Sequence, residues 1–103
     1  MGFQEIKEEV ISRKLLNYSE EIYSSKPLIN EMLIGLSRKN LFLTAVRDYS
    51  NNFNVREFSI FLESLLEEKG NEDQKKFYYE ENFDEIIKLS IEWIKTNTKE
   101  NSL

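Results

Sequence analysis

The chain has 103 residues, 32% of them charged and 40% hydrophobic, with a formal net charge of −5. This is the size and composition of one globular domain, and the lack of any cysteine or histidine excludes disulfides, Cys–His and Ser–His nucleophilic pairs and the usual zinc sites. No apolar run approaches the ~20 residues of a membrane span, and MGFQEIKEEV lacks the apolar centre of a signal peptide, so a cytosolic protein is expected.

Glycine (3) and proline (1) are scarce, and apolar residues recur at spacings of three and four. These features predict an all-α fold, a single-domain helical bundle of about five to six helices over 1–103 with a frayed tail at 97–103. Residues 3–24 read as one or two helices. Phe3, Ile6, Val10, Ile11, Leu15, Tyr18 and Ile22 form the apolar stripe, and Asn17 and Ser19 mark where it would break. Met1-Gly2 opens like a myristoylation signal, but Ile6 stands where that signal needs Ser or Thr.

Pro27 suits the first turn of a new helix, where its missing N–H costs nothing. Leu28, Ile29, Met32, Leu33 and Leu36 make 27–38 a central helix. Leu41, Phe42, Ala45, Val46 and Tyr49 predict a helix over 41–49, with a strand at LFLTAV as the alternative. Ser50, Asn51 and Asn52 form a loop. Asn54 and Glu57 then have the spacing of a capping box, and Phe53 and Phe58 that of a hydrophobic staple. The helix they start runs through Phe61, Leu62, Leu65 and Leu66 and stops at Gly70, a residue free to take positive φ.

Asn71 with Gln74 caps a short helix over 72–80. Asn82 with Glu85 has the spacing of another capping box, opening a helix to about Thr96. Asp84, Lys88, Glu92 and Lys95 give that helix one polar stripe. Phe83, Ile86, Ile87, Leu89, Ile91, Trp93 and Ile94 cover the rest, and Trp93 is expected in the core.

Charge is distributed unevenly. Residues 67–85 contain eight acids and three bases, so the window alone nets −5. In its middle stand Phe77, Tyr78 and Tyr79. Consecutive helical residues differ by about 100°, so the three rings cannot all face inward. Phe77 and one tyrosine are expected in the core, with the other tyrosine exposed among carboxylates. Such a surface suits a basic protein partner. The candidate partner-binding residues are Glu72, Asp73, Tyr78, Tyr79, Glu80, Glu81, Asp84 and Glu85. The acids of a first helical turn also complement the helix dipole, which accounts for Asp84 and Glu85 without any partner.

No catalytic, cofactor-binding or metal-binding residue is expected, and the chain does not read as an enzyme. Glu80/Glu81 and Asp84/Glu85 lie in a polar run, whereas acid–base catalysis needs one carboxyl buried and shifted. Asp48, Ser50, Asn52 and Asn54 imitate the start of a calcium loop. That loop fails at its sixth position, Phe53, and at its twelfth, Ser59. Arg38, Lys39, Arg47 and Arg56 form a basic cluster, but an acidic domain opposes phosphate binding. No nucleic acid and no membrane are expected as partners.

The run Phe77-Tyr78-Tyr79 followed by Ile86, Ile87, Ile91 and Trp93 resembles the tail of the nuclease-colicin immunity proteins. These are small acidic four-helix proteins with a tyrosine pair on a short third helix and a tryptophan on the fourth. The resemblance covers residues 77–94 and departs from the family at Glu80, where the family has proline. It implies that Tyr78 and Tyr79, with Glu80 and Glu81, contact a toxin. In style the chain is also similar to immunity proteins of contact-dependent growth-inhibition systems. The expected function is an immunity protein that neutralises a cognate toxin domain, a basic nuclease, by occluding its active site. The alternative is a small helical regulator or adaptor that binds a transcription or host protein.

Overall fold

A computed structural model describes the backbone of residues 2–101 and the side chains of residues 7–97. The described residues form six helices: α1 (Gly2–Glu21), α2 (Pro27–Ser37), α3 (Asn40–Tyr49), α4 (Val55–Leu66), α5 (Glu72–Glu81) and α6 (Phe83–Asn101). They contain no strand, and the LFLTAV segment is helical within α3. The fold is an all-α single-domain bundle.

α1 runs unbroken through Asn17 and Ser19. Ser19 is buried, and its hydroxyl donates to the Leu16 carbonyl at 2.6 Å, which removes the cost of burying it. Ile11, Leu15 and Ile22 face the core, whereas Val10 is exposed. Phe3 and Ile6 lie outside the described side chains. α2 returns antiparallel to α1. Asn30 Nδ2 donates to the Ser19 carbonyl at 2.8 Å, and Ser12 Oγ donates to the Ser37 carbonyl at 3.1 Å. With Pro27 at its start and seven buried residues, α2 is the central helix that its apolar density predicts.

α3 is tied to α1 by polar groups. Glu8 accepts from Arg47 Nη1 at 2.8 Å and from Thr44 Oγ1 at 3.1 Å. α3 also runs parallel to α6: Lys39 at its head lies over the Phe83 ring, and Lys95 lies over Tyr49 at its tail.

At the start of α4, Asn54 Oδ1 accepts from Glu57 N at 3.0 Å, but the Glu57 side chain returns no bond to Asn54 N, so the expected capping box is only half formed. Phe53 and Phe58 do form the expected staple, with ring centroids 5.7 Å apart. Phe58 is the hub of the aromatic core, 5.1 Å from Phe42, 6.0 Å from Phe61 and 5.5 Å from Trp93. Trp93 is half-buried and stacks on Phe61, so it closes the edge of the core. Its bulk suits this position, since large rings are seldom fully enclosed. The same core cluster holds Leu15, Met32, Leu33, Leu36, Leu62, Ile86 and Ile94, all at most 2% exposed. Each contributes roughly 1.5–3 kcal/mol by leaving water.

α4 gives way to a turn, and Gly70 takes φ +117°. A side chain there would be strained by this angle and would also strike Gln74. Asn71 and Gln74 then form both bonds of a capping box, at 2.9 and 2.8 Å. The expected box at the next helix does not form. Asn82 turns backward instead, and its Nδ2 donates to the Tyr78 carbonyl at 2.9 Å. It therefore adds a second bond to the carbonyl that the Asn82 N–H already caps at 2.9 Å, and so reinforces the end of α5. α6 continues to Asn101, past the end expected near Thr96. Of the tail expected to fray, Ser102 and Leu103 lie outside the described residues.

Candidate partner-binding face on α5

α5 has no fully buried residue. Tyr78 and Tyr79 are half-buried against the core, and they are what docks the helix. Tyr79 stands edge-on to Phe83 at 5.4 Å, and its hydroxyl donates to the Glu31 carbonyl at 3.5 Å. Burial raises the Tyr79 pKa above the usual tyrosine value, and the charges of Glu31 and Glu80 add to the shift, so the ring stays neutral. Lys76 Nζ lies 3.9 Å from Glu31 Oε1 and adds a second link to α2.

The exposed ring is Phe77, which corrects the expectation for this trio. It is 65% exposed, whereas neither tyrosine is exposed. The reason lies in helical register. Side chains three and four residues apart share a face. Phe77 therefore shares its face with Asp73, Glu80 and Glu81. Tyr79 shares its face with Lys75, and its ring meets Phe83 at the start of α6, which packs on the core. The two acids four residues either side of Phe77 were the available signal.

All eight acids of the 67–85 window are exposed, but they do not form one cluster. Glu72 lies 3.8 Å from Lys75, and both line a groove of about 700 Å³ between α2, α4 and α5. Lys26 and Glu63 pair across this groove, and Ile60 and Leu66 contribute apolar lining. Asp73 lines a different groove of about 400 Å³, with Lys69, Gln74, Phe77, Tyr78 and Asn82. Glu80 and Glu81 follow Phe77 on α5, while Asp84 and Glu85 lie in the first turn of α6. Thus Asp73, Glu80 and Glu81 share the helical face of the exposed ring, whereas Glu72 pairs with Lys75 in the other groove. Among the described residues, no three carboxylates converge as a metal-holding set.

Two of the four residues of the basic cluster are engaged. Arg47 binds Glu8 and Asp48, and the Asp48 hydrogen bond heads the causes that hold its pKa above the usual arginine value. Lys39 lies over Phe83 at 5.5 Å. Arg38 and Arg56 are exposed.

Comparison of the chain with protein-family models, with curated proteins and with solved structures gave no match to any of them. No described helix is long and apolar enough to cross a membrane.

Proposed function

We propose that this chain is an immunity-type inhibitor: it binds a basic protein toxin, a nuclease domain, through the outer face of α5 and occludes its active site. The observation that carries this reading is Phe77, an aromatic ring left 65% exposed beside Asp73, Glu80 and Glu81. Leaving such a ring in water forgoes roughly 1.5–3 kcal/mol of burial, which a partner recovers. An apolar anchor ringed by charge is the form that interface hot spots take. The carboxylates stand in for the phosphates that a cationic nuclease cleft attracts, and they steer its approach. Tyr78 and Tyr79 position the anchor. The resemblance over residues 77–94 points to the same segment.

The test is to take any basic toxin domain encoded in the adjacent upstream reading frame and measure binding and protection against it. A tight, salt-sensitive complex that blocks the toxin is expected. Phe77→Ala should weaken it by about 2 kcal/mol, roughly 30-fold. Glu80→Lys with Asp84→Lys should slow association more than it speeds dissociation. No complex at low ionic strength would end this reading. Binding to a transcription or host protein without protection would support the adaptor alternative.

A further inference from the structure

We infer that the groove lined by Lys69, Asp73, Gln74, Phe77, Tyr78 and Asn82 receives one arginine side chain of the basic partner, and that Lys69 is its internal plug. The inference rests on the acidic-face reading and names the chemistry of its central contact.

The first observation is Lys69 itself. It sits in the most acidic stretch of the chain, next to Glu68 and close in sequence to Glu67, Glu72 and Asp73. Among the described residues it nevertheless forms no ion pair with any of them. Its ammonium instead lies 4.3 Å from the centre of the Tyr78 ring, well within the ~6 Å range over which a ring face attracts a cation. The groove already holds a cation, and that cation is supplied by the chain.

The second observation is the set of groups left over. Asp73 makes no hydrogen bond among the described residues, so its carboxylate is free to accept. Asn82 uses its Nδ2 on the Tyr78 carbonyl, which leaves Oδ1 as an acceptor. Gln74 is not available, because its Oε1 takes the Asn71 N–H. The groove thus offers one ring face, one exposed apolar ring, one carboxylate and one amide oxygen, in a cavity of about 400 Å³. A guanidinium is flat enough to stack on Tyr78 while donating to one of these acceptors, since Asp73 and Asn82 stand at opposite ends of α5, roughly 13 Å apart by helical rise. An ammonium can also donate to an acceptor but has no flat face to lay on the ring. Lys69 is exposed, in the turn before Gly70, so a rotamer change is enough to vacate the ring.

The experiment uses the full chain and two short probes, acetyl-Ala-Arg-Ala-Arg-Ala-amide and its lysine counterpart, in low salt. The arginine peptide is expected to shift the amide NMR signals of Asp73, Phe77, Tyr78 and Asn82, and to bind more tightly than the lysine peptide. Lys69→Ala should tighten arginine binding about two- to fivefold beyond the charge-matched variant Lys76→Ala. Equal tightening by the two variants, or shifts on α5 that avoid the groove, would overturn the groove and leave the acidic face standing. No salt-sensitive binding of either peptide would overturn the groove, whereas absence of a complex with the toxin domain would overturn the acidic-face reading beneath it.

Discussion

The hydroxyl of Tyr79 fills the space that residue 35 leaves by being glycine: a Cβ there would lie 2.9 Å from Tyr79 Oη and 3.2 Å from Phe83 Cζ. Gly35 is thus the notch in α2 that lets the α5–α6 corner approach. Glycine inside a helix costs about 1 kcal/mol relative to alanine, and here the close approach explains it. Gly35→Ala should change stability by less than about 1 kcal/mol, because the gain in helix propensity offsets the displaced rings. Gly35→Leu should lose roughly 1–3 kcal/mol. Urea unfolding measures both, and aromatic NMR shifts of Tyr79 and Phe83 should report the displacement in the alanine variant.

Two phenylalanines should give opposite results. Phe58 is fully buried at the aromatic hub, and Phe77 is mostly in water. Phe58→Ala should cost roughly 3–5 kcal/mol of stability. Phe77→Ala should stay within about 0.5 kcal/mol of the parent protein. A large loss from Phe77→Ala in denaturant would mean that the ring serves the fold rather than a partner.

The capping box at the head of α5 is expected to matter locally. Asn71→Ala should cost about 1 kcal/mol. Hydrogen exchange of the α5 amides should rise well before that of α2, which holds the centre of the core. Uniform acceleration across both helices would contradict this view.

Ser90 is fully buried, and its hydroxyl has no hydrogen-bond partner among the described residues. A buried hydroxyl without a partner keeps its desolvation cost. Ser90→Ala should therefore raise stability by about 1 kcal/mol, read as a higher denaturation midpoint.

Alkaline pH should act through Tyr79. Its folded-state pKa is raised, first by burial and then by the charges of Glu31 and Glu80. The folded protein therefore holds this proton more tightly than the unfolded chain does. The associated stability is fully present below the ordinary tyrosine value of ~10 and is lost as pH rises through the higher folded value. Unfolding midpoints against pH should show this decline, and Tyr79→Phe should reduce it. Phenolate absorbance should show one tyrosine ionising late.

The sequence made the scaffold readable because its signals were local. Pro27, the Phe53–Phe58 staple, the Asn54 cap, Gly70 and the Asn71–Gln74 box each act within a few residues, and each stands where its spacing predicts. The strand alternative at LFLTAV failed because Phe42, Ala45 and Val46 bury on a helical face. The site was less legible. Which ring of Phe77-Tyr78-Tyr79 faces water depends on where α5 docks, and that is set by the remote Gly35 notch. Asn82 misled for a similar reason. Its side chain had two helix ends to choose between, and spacing alone pointed to the following one.

The absence of any enclosed side chain on α5 has a consequence for how such a protein changes. Its outward positions can be rewritten without repacking the interior, provided that Gly35 and the two tyrosines keep their fit. The scaffold is thereby separable from the proposed binding face, and a library randomised at Asp73, Phe77, Glu80 and Glu81 should yield folded variants at high frequency.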